Sequence, residues 1–130
     1  MRVKSKVNVR IYDDANEKDI LFAPDDVRAE VINSNHQEWA GGKFVIAPSG
    51  NLVLPLGTVG TVRGIYIRTI TDFDLSLNGN PAINVLKSLG TAAADPVKFY
   101  LDGTLASAQV TNVSAAVNLE GYYAVWGDPV

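Results

Sequence analysis

The sequence contains no cysteine and a single histidine, His36. The absence of cysteine excludes disulfide bonds and thiolate metal sites, and one imidazole cannot form the histidine clusters that hold zinc. No apolar run approaches the ~18 residues that a membrane-spanning helix needs. The N-terminus also lacks the apolar stretch of a secretory signal, so we expect neither a membrane span nor a leader.

Basic residues are few, but they are concentrated at the start of the chain. The net charge of −3 and the pI of about 5.0 do not fit the basic footprint of a nucleic-acid-binding protein. The first ten residues nevertheless carry +4 from Arg2, Lys4, Lys6 and Arg10, and the rest of the chain carries −7. Two interpretations remain open: a solvated basic first strand, or an arm that docks onto an acidic neighbour such as another copy.

Apolar and polar residues alternate with a period of two along much of the sequence, which is typical of half-buried β-strands. Val3–Tyr12 follows this pattern, and Arg63–Ile70 reads as a central strand. In the latter, Ile65 and Ile67 face one way, whereas Tyr66, Arg68 and Ile70 face the other. Further strands are predicted at 44–46, 52–54, 73–77, 97–101, 105–112, 117–119 and 122–126, and 20–22 is a short apolar stretch before Pro24.

Glycine, asparagine, aspartate and proline separate these strands. Asn78-Gly79 and Asp102-Gly103 predict tight hairpin turns, because such pairs supply positive φ angles. Pro48–Asn51 predicts a hairpin loop between the strands at 44–46 and 52–54. Gly57–Gly64 predicts a flexible turn, and Ser34–Gly42 predicts a loop.

Two segments fit more than one structure. Asp25–Asn33 suits a strand or a short capped helix, with the strand favoured, and Ile83–Leu89 suits one or two helical turns or a strand. Eight or nine short strands without a long helical pattern favour a sandwich or a small barrel. We predict an all-β, antiparallel β-sandwich of jelly-roll or immunoglobulin-like type, as one domain over residues 1–130, with 1–10 as an N-terminal arm or edge strand.

Motifs for catalysis are missing. The sequence has no Gly-x-Ser-x-Gly elbow, and His36 is the only imidazole base that a nucleophile could use. Its polar neighbours are those of an ordinary loop, so we expect an exposed or interface histidine. The glycine-rich segment Gly57–Gly64 lacks the Gly-Lys-Ser/Thr ending of a phosphate loop. We therefore predict no enzyme, no catalytic residue and no cofactor.

Oxygen donors for a cation occur close together at Asp72, Asp74, Asn78 and Asn80. A cation between this strand and its turn is one interpretation, and simple solvation is the other. The spacing fails the EF-hand pattern, so no metal site is predicted. Asn112-Val113-Ser114 matches the N-glycosylation sequon, which we attribute to chance.

The two tryptophans, Trp39 and Trp126, are candidates for platforms on which a ligand stacks. Sugar binding is one interpretation of Trp39 in its loop. A subunit-interface anchor or a core residue is the favoured one, because tryptophan brings a large apolar area with few torsions to freeze.

The region Leu52–Asp128 resembles small structural proteins of tailed bacteriophage virions. A hydrophobic strand after a glycine-containing turn is followed by a strand that closes on Leu-Asn-Gly, an Asp-Gly-Thr-Leu turn, a Val-Thr-Asn-x-Ser stretch and a final strand ending in Gly-Asp. These features lie at 62–70, 74–79, 99–105, 110–114 and 122–128. The resemblance implies a β-sandwich on the particle, as a capsid decoration (cement) protein or a minor head or tail protein.

From this resemblance we expect a non-enzymatic virion protein that binds and stabilises the assembled head. It implies the major capsid protein or other virion proteins as partners, a homotrimer on a local symmetry axis, no nucleic acid or membrane, and a place on the capsid surface after synthesis in the host cytoplasm. The residues predicted to contact a partner are Arg2, Lys4, Lys6, His36 and Trp39. The alternative is a carbohydrate-binding or host-attachment module on a head or tail fibre.

Overall fold

The computed structural model describes residues 11–12, 20–22, 38–87 and 95–130. The chain divides into two compact units, residues 1–35 and 36–130. In the first unit, β1 (Ile11–Tyr12) pairs antiparallel with β2 (Ile20–Phe22), so the strand prediction over Val3–Tyr12 is confirmed at its described end. The other predictions for residues 1–35 lie outside the described residues, and the prediction of one domain stays a prediction.

The described part of the second unit contains eight β-strands and no helix. The strands are β3 (Glu38–Ile46), β4 (Asn51–Val53), β5 (Val59–Thr69), β6 (Phe73–Leu77), β7 (Ile83–Val85), β8 (Val97–Leu105), β9 (Ala108–Asn112) and β10 (Leu119–Pro129).

These eight strands form two four-stranded antiparallel sheets. The first sheet has the order β3-β10-β5-β8, and the second has the order β4-β9-β6-β7. Both sheets contribute to one apolar core, with Ile65 and Ile67 from the first and Phe73, Leu75 and Val110 from the second fully buried. The prediction of an all-β antiparallel sandwich is confirmed.

Strand β5 lies between β10 and β8, which confirms a central strand at 63–70. Ile65 and Ile67 point into the core, so Tyr66 and Arg68 lie on the opposite side of the sheet, as the alternation predicted. We call this side of the first sheet, away from the core, the outer face.

Of the two predicted hairpin turns, only the one at Asn78-Gly79 is confirmed. Asn78 and Gly79 have φ angles of 56° and 73°, and they begin the loop that joins β6 to its sheet neighbour β7. Asp102-Gly103 instead lies inside β8, where the pairing shifts between Val62–Leu105 and Gly64–Asp102. The prediction of a turn there was wrong. The extra residues of β8 form a β-bulge, and an Asp-Gly pair suits a bulge as well as a turn.

The predicted hairpin around Pro48–Asn51 was also wrong. A turn does occur there, with Ser49 at a φ of 59° and the Gly50 N–H donating to the Ala47 carbonyl at 2.9 Å. However, β3 pairs with β10 and β4 pairs with β9, so this turn connects the two sheets. The local sequence specifies the turn, but the two strands that flank it pair with strands far away in the sequence.

Other boundaries shift. The predicted loop Ser34–Gly42 was wrong for residues 38–42, which belong to β3, and its first four residues lie outside the described residues. Gly57-Thr58 forms the expected turn, but the remainder of the glycine-rich segment belongs to β5. Of the two structures considered for Ile83–Leu89, the strand is found, over Ile83–Val85.

Candidate interaction surface

The strand register places the side chains of the outer face in rows that cross the first sheet. One row holds Trp39, Trp126, Gly64 and Asp102, from β3, β10, β5 and β8 in turn. The next row holds Gly41, Ala124, Tyr66 and Tyr100, and the third holds Lys43, Tyr122, Arg68 and Lys98. Because directly opposed residues in antiparallel strands lie about 4.5–5.5 Å apart, members of a row are neighbours.

The tryptophan row is closely packed. Trp39 lies directly opposite Trp126 across the β3–β10 pair. The indole of Trp126 lies over Gly64, since a Cβ at that position would stand 2.3 Å from its Cε2 atom. The ring of Tyr100 lies 6.1 Å from Trp126, with 30° between the planes. The two tryptophans that the sequence offered as separate platforms therefore belong to one aromatic cluster, together with Tyr100.

Tyrosines of the first sheet differ in what they expose. Tyr66 is fully buried although it lies on the outer face, so it cannot serve as a stacking platform. Tyr100 and Tyr122 are 40% and 36% exposed. Burial, and secondarily the carboxylate of Asp102, raises the pKa of Tyr100 above its ordinary value.

Tyr123 points to the other side of the sheet, into the core. Its hydroxyl donates a hydrogen bond to the carbonyl of Pro55 at 2.9 Å, and its ring lies 6.2 Å from that of Phe44. Burial raises the pKa of Tyr123. This residue links β10 to the segment between β4 and β5, and it takes no part in the outer face.

The third row places cations on both sides of an exposed tyrosine. Lys43 and Arg68 are the cross-strand neighbours of Tyr122 in β3 and β5. Lys43 is exposed, whereas Arg68 is half-buried. A pocket of about 190 Å³ opens beside this row, and it is lined by Lys43, Arg68, Thr69, Ile70, Glu120, Gly121 and Tyr122. We call it the Tyr122 pocket.

The outcome for the predicted partner residues is divided. Trp39 lies in β3 on the outer face, half-buried, and belongs to the aromatic cluster. Arg2, Lys4, Lys6 and His36 lie outside the described residues. Their role as partner contacts stays a prediction.

Sequence reasoning missed Lys43 and the Tyr122 pocket. The period-two pattern placed Tyr66 with Arg68, and Tyr122 with Trp126, on common faces of their strands. It could not reveal that these strands are neighbours, because β5 and β10 are far apart along the chain. The sequence indicated which side chains share a face of each strand, but not the register that brings the strands together.

Two of the four oxygen donors considered for a cation, Asp72 and Asn78, accept hydrogen bonds from backbone N–H groups. Asp72 Oδ1 accepts a hydrogen bond from the Lys87 N–H at 2.6 Å. Asn78 Oδ1 accepts one from the Ala106 N–H, also at 2.6 Å. In residues 38–87 and 95–130, together with the short strands before them, no three histidine, cysteine, aspartate or glutamate side chains gather where a metal ion could bind.

The sequon residue Asn112 is buried and has a structural role. Its amide nitrogen donates to the carbonyls of Ile46, Ala47 and Val117, at 3.1, 3.2 and 2.8 Å. Its Oδ1 accepts from the Ser114 N–H at 3.0 Å. With 2% of its surface exposed, Asn112 fastens the loop after β9 to the end of β3.

Within the described part of the chain, no helix is long and apolar enough to cross a membrane. Comparison of the sequence with protein-family models and with curated proteins, and of the structure with solved structures, finds no match.

Proposed function

We propose that this protein is a non-enzymatic component of a virus particle, a capsid decoration protein that binds the assembled head and stabilises it. The proposal combines the resemblance of Leu52–Asp128 to structural proteins of tailed phages with the composition of the outer face. Its partners are the major capsid protein or other virion proteins, and its place is the capsid surface.

The outer face is the observation that carries the proposal. It presents tryptophan, tyrosine and arginine on one rigid sheet, with Tyr100, Tyr122 and Lys43 exposed. These residue types dominate the binding energy of protein–protein interfaces, because they offer large contact areas and directed hydrogen bonds. A sheet also holds them in fixed positions, so little side-chain freedom is lost on binding.

The strand order supports a jelly roll rather than an immunoglobulin-like sandwich. An immunoglobulin constant domain divides seven strands into sheets of four and three. Here the described strands of residues 38–130 alternate between two sheets of four, and among them only β6 and β7 are consecutive in the same sheet. Jelly rolls occur in viral capsid proteins and in lectins, so this architecture suits the proposal and its alternative below.

A decoration protein stabilises a capsid because its binding is thermodynamically linked to capsid assembly. If it binds the assembled lattice and not the separate capsid subunits, its binding free energy adds to the stability of the particle. The proposed homotrimer would seat three outer faces around a local symmetry axis. The basic segment 1–10 would supply additional contacts to acidic capsid surfaces.

Cryo-electron microscopy of virions from the phage whose genome encodes this chain tests the proposal. We expect density for the β-sandwich at regular positions on the head, in threefold clusters. Density confined to the tail, or absence of the chain from purified virions, would overturn the decoration role. Particles that lack the chain should rupture at a lower temperature than complete ones.

Carbohydrate binding is the second candidate, and the adjacency of Trp39, Trp126 and Tyr100 favours it. Neighbouring aromatic rings can form a platform for a sugar. A glycan array distinguishes the two functions: binding that Trp39→Ala removes, and that Val53→Ala on the second sheet leaves intact, would support the sugar. No binding at millimolar glycan would leave decoration as the better explanation.

A further inference from the structure

We propose that the Tyr122 pocket receives a carboxylate side chain from an acidic segment of the partner protein. The identity of that partner as a capsid component rests on the function proposed above. The binding chemistry follows from the pocket and can be tested on the isolated chain.

The register brings the required groups together. Lys43, Tyr122 and Arg68 occupy one row over β3, β10 and β5, so the two cations stand two strand spacings, about 10 Å, apart at their Cα atoms. Both side chains are long enough to converge above the tyrosine between them. All three line the same pocket.

The volume of the pocket suits a small occupant. At about 190 Å³ it is smaller than the roughly 300–1,000 Å³ of sites for drug-sized ligands. One amino-acid side chain fits this space better than a whole cofactor or an oligosaccharide. The apolar surface of Ile70, 46% exposed at the wall of the pocket, suits the aliphatic stem of such a side chain.

The charges on the walls select an acidic side chain. A guanidinium and an ammonium can both donate to one carboxylate, and charge-assisted hydrogen bonds of this kind are about twice as strong as neutral ones. The phenol of Tyr122 adds a third donor. Glu120, on the remaining wall, can accept a hydrogen bond from a backbone N–H of the incoming segment, and it limits the pocket to one carboxylate.

The surroundings of the pocket suit a protein partner. Glu120 is flanked across the β3–β10 pair by Val45, which is 53% exposed, and Ile70 stands at the end of β5. Exposed apolar residues around a few charged groups are typical of a surface that another protein covers. We therefore favour an acidic peptide segment over a free acidic sugar.

The test uses two short peptides that differ only in charge, N-acetyl-Gly-Glu-Glu-Gly-amide and its Gln-Gln counterpart. Each is titrated into the isotope-labelled protein while its amide NMR signals are followed. We expect the Glu-Glu peptide to shift the signals of residues 43, 68–70 and 120–122 and the Gln-Gln peptide to leave them in place. Equal effects of the two peptides, or shifts elsewhere, would overturn the inference.

Variants of the pocket residues distinguish a loss of charge from a loss of folding. Lys43→Gln alters an exposed side chain, and Arg68→Lys retains the charge while Arg68→Gln removes it. We expect Lys43→Gln and Arg68→Gln each to weaken binding at least tenfold and Arg68→Lys to weaken it less. Lys87→Gln, which removes a cation outside the outer face, should change it less than twofold. Binding of N-acetylneuraminic acid at these residues without binding of the Glu-Glu peptide would overturn the inference in favour of an acidic sugar.

Failure of this inference and failure of the proposed function give different results. If virions carry the protein but Lys43→Gln and Arg68→Gln leave its occupancy unchanged, the pocket is not the contact and the decoration role stands. If the peptide binds as expected but virions lack the protein, the pocket chemistry stands and the partner lies elsewhere.

Discussion

The indole of Trp126 occupies the space in which a side chain at position 64 would stand. A Cβ built on Gly64 would lie 2.3 Å from Cε2 and 2.4 Å from Nε1 of Trp126, far closer than real atoms approach. Glycine at this position of β5 is therefore required by packing, and its φ is not in the positive range. The arrangement of the aromatic cluster depends on this one missing side chain.

Gly64→Ala should destabilise the fold by about 1–3 kcal/mol, the usual cost of inserting atoms into a packed site. The indole must move, so tryptophan fluorescence should change as well. Urea unfolding with fluorescence detection measures both effects.

Gly103→Ala is the matched control for this substitution. Gly103 also lies in a strand of the first sheet, and its Cβ would meet only the Leu101 side chain at 3.8 Å. The unfolding free energy of this variant should change by less than about 0.5 kcal/mol. Equal losses in the two variants would mean that the contact with Trp126 does not explain the glycine.

Asn112→Ala should destabilise the protein by about 2–4 kcal/mol. The substitution leaves the carbonyls of Ile46, Ala47 and Val117 without the amide that now donates to them, and each buried group left unsatisfied costs about 1–3 kcal/mol. Denaturant unfolding gives the loss. The exposed Asn84→Ala should be nearly neutral, and a loss below 1 kcal/mol at Asn112 would contradict the structural role.

Alkaline pH should weaken the fold through Tyr123. Burial raises the pKa of this phenol above its ordinary value of 10.0, so the folded state retains the proton more strongly than the unfolded chain does. The stabilisation is therefore complete below pH 10.0 and is lost as the pH rises through the raised folded pKa. Tyr100 contributes in the same direction, because its pKa is also raised.

Tyr123→Phe tests this assignment. At neutral pH it should cost about 1 kcal/mol through loss of the hydrogen bond to the Pro55 carbonyl. Above pH 10 its unfolding free energy should fall less steeply than that of the wild type. Parallel pH profiles for the two proteins, from urea unfolding at each pH, would assign the alkaline loss to other groups.

Deletion of residues 1–6 should weaken attachment to the capsid and leave the sandwich folded. The deletion removes three of the four positive charges of the first ten residues, which we expect to contact acidic capsid surfaces. Occupancy on purified particles, measured by quantitative gel analysis, and circular dichroism of the isolated protein report the two effects. Unchanged occupancy would exclude this role for the basic arm.

The sequence predicts the strands of this protein well, because their signal is local. Ile65 and Ile67 alternate with Tyr66 and Arg68 over only a few residues, and burial of one face accounts for this pattern. The sequence predicts turns less well, since a dipeptide that ends in glycine can form either a hairpin turn or a β-bulge. Asn78-Gly79 reverses the chain with two positive φ angles, whereas Asp102-Gly103 forms a bulge within β8.

The candidate surface was beyond sequence reasoning because it depends on register. Trp39 was predicted as a partner contact from its residue type and from the loop predicted at 34–42, and its neighbour Trp126 was considered separately. Their opposition follows from the pairing of β3 with β10, which no local pattern specifies. The Tyr122 pocket requires three neighbouring strands in the correct register. The sequence therefore showed the residues of the pocket but not that they lie together.

The position of β10 has a consequence for how the protein is made. This strand lies between β3 and β5 and hydrogen-bonds to both, although it is the last of the described strands to leave the ribosome. Until it emerges, β3 has no partner within its sheet and β5 pairs only with β8. Folding of this sheet must therefore wait until β10 has been synthesised, and pairings so distant in sequence form slowly. Nascent chains in this interval expose the unpaired edges of β3 and β5, so a chaperone that covers these edges should improve the yield of folded protein.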